Sequence, residues 1–174
     1  MAANANSGIG IGFNKKPKNF EFSGRVRLEE IGQYSKVYVS INGLLTGGEP
    51  LLSFYQGKVK ARSDGEGGAS AENVLNCRAG EHWYGYKMLF DFTAEPKYEL
   101  ILNGKSRGVF KITLPSDVDW KVLSLRLVVN NPRATDVTIA YFDDIKVSLG
   151  ANGGEDTEDP LAPPEIDPAL VYGF

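Results

Sequence analysis

The sequence has one cysteine, Cys77, and one histidine, His82, among its 174 residues. A single cysteine excludes an internal disulfide and a thiolate metal site within one chain. A lone histidine without ordered partners cannot run acid–base chemistry, so we expect His82 to be packed or exposed in a turn. Phosphate-binding loops, nucleophile elbows and zinc-ligand spacings are also absent from the sequence.

Long hydrophobic runs are absent as well. No stretch is apolar enough to span a bilayer, and Met1–Gly8 lacks the basic and apolar regions of a secretory signal. We therefore expect no membrane partner and, if Met1 is the natural start, no export by that route. Hydrophobic residues make up 42% and charged residues 24%, which is typical of a globular domain with one core.

The charge of the chain is unevenly distributed. The net charge is −3, but residues 150–174 contain six acidic residues and no lysine or arginine. The preceding 149 residues carry 19 basic and 16 acidic residues, so a mildly basic body adjoins an acidic tail. A basic body could attract anionic glycans, and an acidic tail could attract a basic subunit. The alternative is that these charges only form a solvated surface. We expect no nucleic-acid partner.

Apolar residues alternate with polar ones along much of the chain, which is typical of half-buried β-strands. The firmest example has four apolar residues in phase: Phe20, Phe22, Val26 and Leu28. Asn103-Gly104 lies between two extended segments and predicts a tight hairpin, because both residues accept positive φ. We predict about nine to eleven short strands without an amphipathic helix, hence an all-β sandwich or barrel.

Changes of composition divide the sequence into three parts. Residues 1–19 are expected to form an N-terminal arm, residues 20–149 a β-sandwich, and residues 150–174 an acidic, Pro- and Gly-rich tail. Within the sandwich, Ser63–Ser70 has no periodicity and predicts a mobile loop. The tail ends in an apolar tip, which we expect to dock on a neighbouring subunit unless a further domain begins there: Leu170, Val171, Tyr172 and Phe174.

Three short motifs follow one another in the chain: Gly80-Glu81-His82-Trp83-Tyr84, then Tyr98–Lys105, then Tyr141–Val147. In order and spacing they resemble those of concanavalin A-like jelly rolls of the LamG and laminarinase type. The resemblance implies an antiparallel β-sandwich in which the first motif opens a central strand and the third closes the fold. It implies a fold more than a function, because this architecture serves lectins, enzymes, adhesion domains and viral structural proteins.

Glucan hydrolases of the fold that this chain resembles carry Glu-x-Asp-x-x-Glu on one strand, so that two carboxylates flank the glycosidic bond. The nearest run here, Glu165-Ile166-Asp167, lacks the last glutamate and lies in the Pro-rich tail. Lyases of similar fold need a cluster of His, Tyr, Arg and Gln, and the one histidine of this chain, His82, stands next to the strand-opening Trp83. We therefore predict that the protein is not an enzyme.

Sugar binding by a sandwich relies on exposed aromatic faces that stack on pyranose rings. Five residues are candidates: Tyr34, Tyr38, Tyr55, Tyr84 and Trp120. Tyr38 and Tyr55 are out of phase with the apolar residues of their strands and should point away from the core, where a cross-strand pair or a subunit contact is the alternative. Trp83 and Phe90 are expected in the core.

Asp143 is the candidate metal ligand. In the carbohydrate-binding sandwiches that the chain resembles, an acid of the last strand is often a structural calcium ligand, and Asp143 and Asp144 stand there. Strand alternation would place Asp143 on the face of Ile145 and Val147, where it must be paired, hydrogen bonded or metal bound. Calcium is the one candidate cofactor, and hydrogen bonds that anchor a loop are the alternative.

Two functions from different classes fit these features. The one we favour is a virion structural protein, such as a phage head-decoration, fibre or tail component, which contacts neighbouring virion subunits through its arms and also binds surface glycans. The alternative is an extracellular carbohydrate-binding module of a secreted, polysaccharide-degrading enzyme. The oligomeric state separates them, because a virion component is usually a symmetric oligomer and a sugar-binding module a monomer.

Overall fold

The computed structural model describes residues 4–133 and 135–149. These residues form eleven β-strands, and they contain no helix that could cross a membrane. The strands are β1 (Asn4–Ile11), β2 (Asn19–Glu30), β3 (Lys36–Asn42), β4 (Leu52–Tyr55), β5 (Lys58–Gly65), β6 (Gly68–Asn76), β7 (Trp83–Asp91), β8 (Lys97–Leu102), β9 (Lys105–Lys111), β10 (Leu123–Asn130) and β11 (Ile139–Leu149).

The strands pair antiparallel and divide between two sheets. Sheet A has the order β1-β10-β3-β4-β5-β6, and sheet B has the order β11-β2-β7-β8-β9. The inner faces of the two sheets enclose one apolar core. The predicted fold class, an all-β antiparallel sandwich, is confirmed.

β2 is an interior strand of sheet B, between β11 and β7, and one of its faces lies in the core. Four of its side chains are at most 1% exposed, and the residues between them remain partly exposed: Phe20, Phe22, Val26 and Leu28. The period of two turns all four toward sheet A, and each large apolar side chain contributes about 1.5–3 kcal/mol on burial. The strand predicted for this segment is therefore confirmed.

The Asn-Gly hairpin is also confirmed. Asn103 and Gly104 connect β8 to β9 with φ angles of 49° and 76°. The side-chain oxygen of Asn103 accepts a hydrogen bond from the backbone N–H of Gly85 at 2.9 Å, and the Asn103 N–H donates to the Gly85 carbonyl at 2.8 Å. The turn is thereby fixed to β7 as well as to its own two strands.

Two segments predicted to lack regular structure are strands. Eight residues of the predicted N-terminal arm form β1, which pairs with β10 along its whole length at the edge of sheet A. Its Gly- and Asn-rich sequence has low strand propensity, but backbone hydrogen bonds need no particular side chain, and Ile11 is buried at its end. Ser63–Ser70, predicted to be a mobile loop, belongs to the β5–β6 hairpin, whose last pair is Gly65 with Gly68.

Candidate functional site

A groove of about 590 Å³ lies on the outward face of sheet A. Alternation along β3 buries every second side chain and turns the residues between them into the groove: Lys36, Tyr38 and Ser40. One wall comes from the connection between β3 and β4, where Gly47, Gly48 and Glu49 line the groove. The far end is lined by Tyr34 and Asn130.

Three of the five predicted sugar-stacking residues meet in this groove: Tyr34, Tyr38 and Tyr55. Tyr38 and Tyr55 alternate with the apolar residues of their strands, which predicts that they point away from the core, and both rings do so. Cations contact two of the rings. The Arg133 guanidinium carbon lies 3.4 Å from the Tyr34 ring centroid, and the Lys60 Nζ lies 5.4 Å from that of Tyr55. The groove therefore combines aromatic surface with positive charge.

The described residues that line the groove include three cations, Lys36, Arg62 and Arg126, and one carboxylate, Glu49. The Nζ of Lys36 lies 3.1 Å from Glu49 Oε2, so these two charges offset each other. Arg126 donates from Nε to the side-chain oxygen of Asn6 at 3.3 Å, and within residues 4–133 and 135–149 it has no carboxylate at ion-pair distance. Arg126 is therefore the cation best placed to meet an anionic ligand.

Arg62 anchors the wall of the groove from beneath. Its side chain is 3% exposed, and its Nε and Nη2 donate to the Asp64 carboxylate at 2.7 and 3.0 Å. The same guanidinium donates to the carbonyls of Thr46 at 3.0 Å and of Gly47 and Glu49 at 2.9 Å each. A planar fork with five donors can satisfy all these acceptors at once, so one side chain fixes the loop between β3 and β4.

The Arg62–Asp64 pair belongs to a larger buried network. Asp64 also accepts a hydrogen bond from the Thr113 N–H at 2.7 Å. The Tyr98 hydroxyl lies 2.9 and 3.0 Å from the carbonyl oxygens of Arg62 and Leu51 and can donate to either. Burial raises the pKa of Tyr98, so its hydroxyl remains a neutral donor. These contacts tie sheet B to the groove-bearing sheet A.

Tyr84 and Trp120, the other two predicted stacking residues, lie outside the groove. Tyr84 is in the core instead: it is 7% exposed, its ring centroid is 5.5 Å from that of Phe54, and its hydroxyl is hydrogen bonded to the backbone of Arg78. Its position on β7 is one of those whose side chains point into the core. Trp120 lines a separate cleft at one end of the sandwich. The predicted docking residues Leu170, Val171, Tyr172 and Phe174 lie outside the described residues.

Trp83 lies on the outward face of sheet B, so its prediction as a core residue is wrong. The guanidinium carbons of Arg25 and Arg27 lie 4.6 and 5.4 Å from its ring centroid, and Arg27 also lies 4.5 Å from the Tyr141 ring. Side chains alternate along β7, so Trp83 points outward, whereas Phe90 points inward and is in the core as predicted. Both sheets therefore present aromatic rings in contact with cations on their outward faces.

Asp143 is exposed, and the prediction that it shares the buried face of Ile145 is wrong. After Asp143 the pairing with β2 contains a β-bulge, in which Asp144 has a φ of 54°. The extra residue of a bulge reverses the alternation along the strand. Both carboxylates face Arg25: Asp143 Oδ2 lies 2.6 Å from its Nη2, and Asp144 Oδ2 lies 3.0 Å from its Nε.

The hydrogen bond from Arg25 holds the pKa of Asp143 below its ordinary value of 3.8. The pair therefore stabilises the protein at neutral pH, and this contribution is lost as the pH falls through the lowered pKa. It is small, because both side chains are exposed to solvent. In the part of the chain that the structure describes, no three His, Cys, Asp or Glu side chains are grouped to hold a metal ion. Calcium at Asp143 stays a prediction.

The groove also contains polar residues that the sequence analysis did not select: Lys36, Ser40, Glu49, Arg126 and Asn130. Arg126 could have been found, because it stands between Leu125 and Leu127, which are both buried, in a strand of period two. What the sequence does not show is that β10 lies beside β3, since the two strands are far apart in the chain.

Comparison with solved structures identifies the fold. An endo-β-1,4-glucuronan lyase from the fungus Trichoderma reesei superposes with a TM-score of 0.59 at 11% identity, over 86% of this chain and 76% of that one. An alginate lyase of polysaccharide lyase family 7 gives a TM-score of 0.56 at 12% identity, over 80% of this chain and 64% of that one. The fold is a concanavalin A-like jelly roll. A sialidase gives 0.57 at 12% identity, over 86% of this chain but only 14% of its own.

At these identities the likeness shows the fold alone. No protein-family model matches the sequence, and no curated protein matches it either. The prediction that the protein is not an enzyme is contradicted, because glucuronan and alginate lyases are among the structures it resembles. The virion role has no support from these comparisons and stays a prediction.

Proposed function

We propose that the protein binds an anionic polysaccharide in the groove of sheet A. The observation that carries this proposal is the meeting in the groove of three tyrosines with Arg126, which has no carboxylate at ion-pair distance among the described residues. Tyrosine rings stack on pyranose rings, and guanidinium groups pair with carboxylates. The similar folds of a glucuronan lyase and of alginate lyases support a polyuronate as the ligand. Either predicted localisation, virion or extracellular, is compatible with such a ligand.

Tyr38 and Arg126 are the proposed centre of the site. Tyr38 stands on β3, between its register partners Val128 on β10 and Ser53 on β4. Arg126 is the register partner of Ser40, two residues further along the same face. Tyr38 and Arg126 are thus diagonal neighbours, about 7–8 Å apart between their Cα atoms. One ring can stack on a sugar while the guanidinium reaches the carboxylate of the same or the next sugar.

Titration calorimetry with alginate oligosaccharides tests the binding proposal. Tyr38→Ala and Arg126→Ala should each lower the affinity about tenfold, which corresponds to roughly 1.4 kcal/mol. Tyr141→Ala is the matched control, since it removes a tyrosine that is 41% exposed on the other sheet and should leave the affinity unchanged. Equal binding of carboxyl-reduced oligosaccharides, or equal effects of the Tyr38 and Tyr141 substitutions, would contradict the proposal.

Cleavage of the bound chain by β-elimination is a second candidate function, favoured by the lyase folds. In this reaction a base removes the proton at C5, the electron pair forms the C4–C5 double bond, and the bond from C4 to the glycosidic oxygen breaks as that oxygen takes up a proton. His82, the one histidine of the chain, is not among the described residues that line the groove. We therefore assign both proton transfers to Tyr38, whose phenolate would take the C5 proton and then return it to the glycosidic oxygen. Arg126 would neutralise the uronate carboxylate, and Asn130 would donate a hydrogen bond to it.

Incubation of the protein with alginate and with glucuronan tests this second candidate. The double bond of an unsaturated uronate end absorbs ultraviolet light, so absorbance should rise with time. Tyr38→Phe should keep the stacking surface and the affinity but stop the release of product. Binding without any product would contradict catalysis and leave the binding proposal in place. Equal product from Tyr38→Phe would show that the phenol is not the acid–base group.

A further inference from the structure

We propose that the apolar tip, residues 170–174, docks in the cleft beside Trp120 of the same chain. This Trp120 cleft has a volume of about 450 Å³, and its described lining residues are all different from those of the groove. The inference is therefore independent of glycan binding. Most of the lining is apolar: Pro96, Ile112, Leu114, Pro115, Val118 and Trp120.

Trp120 gives the cleft its aromatic wall. One side of the indole packs on the core, with ring centroids 5.4 Å from Phe92 and 6.5 Å from Phe13. The side chain remains partly exposed and lines the cleft. A half-buried tryptophan among apolar neighbours is the kind of pocket that aromatic and aliphatic anchors fill at interfaces.

The sandwich strand that leads to the tip ends close to this cleft. Leu149, the last residue of β11, pairs with Phe20, whose ring contacts the two phenylalanines that pack on Trp120. Twenty residues, 150–169, separate Leu149 from the tip. Twenty residues reach at most about 70 Å when fully extended, which is enough to return across one end of a domain of this size.

Charge and spacing favour the same occupant. Residues 155–159 contain four of the six acids of the tail, and Lys16 lines the cleft. Glu95, the one acid of the described lining, lies 2.9 Å from Lys111 Nζ, so these two charges offset each other. Attraction between the acids of the tail and Lys16 would hold the tail near the cleft. Three large side chains of the tip alternate and would share one face of an extended segment: Leu170, Tyr172 and Phe174.

Acrylamide quenching of Trp120 fluorescence in the full chain tests this inference. Trp83→Phe leaves Trp120 as the single tryptophan. In that background, Tyr172→Ser combined with Phe174→Ser should raise the quenching constant about twofold, because the indole loses its apolar cover. Leu161→Ser is the matched control, since it removes an apolar residue of the tail outside the tip and should change nothing. Circular dichroism verifies that each variant keeps the sandwich.

Two results would overturn the proposal. The first is a tip variant with the same quenching constant as its parent. The second is a parent constant that changes when the protein concentration is varied about a hundredfold, because docking within one chain is independent of concentration and docking on a second copy is not. A concentration-independent constant that rises only in the tip variant supports the proposal.

Discussion

Replacing Arg62 with alanine should lower the free energy of unfolding by about 3–5 kcal/mol, a large part of the stability of a domain of this size. The reason is burial: the side chains of Arg62 and Asp64 are 3% and 4% exposed. Without the guanidinium, the Asp64 carboxylate stays buried without its counter-charge. Three carbonyl groups of the loop between β3 and β4 lose their donors as well.

Urea denaturation of a short series of variants measures this effect. Arg62→Lys should lose less than Arg62→Ala, because it keeps the charge but has no planar fork to reach both the carboxylate and the loop. Arg62→Ala combined with Asp64→Ala should lose less than the sum of the two single substitutions, since the two groups are coupled. A loss below about 1 kcal/mol for Arg62→Ala would contradict this account, because that is the size of an exposed ion pair.

The same network links stability to the proposed function. The Glu49 carbonyl is held by Arg62, and the Glu49 carboxylate pairs with Lys36 inside the groove. The loop wall is therefore positioned by a buried charge that no ligand touches. A polar network of this kind rigidifies a site only when every member is satisfied, which the five hydrogen bonds of Arg62 achieve.

The sequence predicts well which side chains of a strand point into the groove. The outward direction of Tyr38 and Tyr55 follows from the apolar residues on either side, because side chains alternate along a strand. The wall of the groove could not be predicted in this way. Arg62 and Asp64 lie in a stretch that leads into a Gly-rich segment, and their partners at residues 46–49 and 113 are distant in the chain.

Local irregularity explains the main error about Asp143. The alternation rule fails wherever one strand of a pair contains an extra residue, and the bulge after Asp143 is such a place. Asp144 takes a positive φ there, a conformation that aspartate tolerates better than most residues but that the sequence does not specify. The prediction of β1 as an arm failed for the opposite reason, since a segment with weak propensity gains its structure from pairing with β10.

Replacing Gly24 with alanine should lower the free energy of unfolding by about 2–3 kcal/mol, because overpacking a filled core is costly. Gly24 stands on β2 opposite the bulge of β11. A β-carbon at this position would lie 2.5 Å from the Tyr86 hydroxyl oxygen and 2.8 Å from Cδ1 of Ile145. Tyr86 is 2% exposed, and its ring centroid is 5.4 Å from that of Phe22, so the phenol has little room to move.

Two further variants separate steric overlap from a general effect of alanine in a strand. Gly85→Ala is the matched control on β7, since its β-carbon would meet its nearest neighbour at 3.9 Å; we expect a change within about 0.5 kcal/mol. The Tyr86 hydroxyl has no hydrogen-bond partner among the described residues, and burial raises the pKa of Tyr86. Tyr86→Phe should therefore cost little, and it should recover part of the loss in the Gly24→Ala background. Equal losses for Gly24→Ala and Gly85→Ala in urea denaturation would show instead that the phenol moves aside freely and that the core beside the bulge is loosely packed.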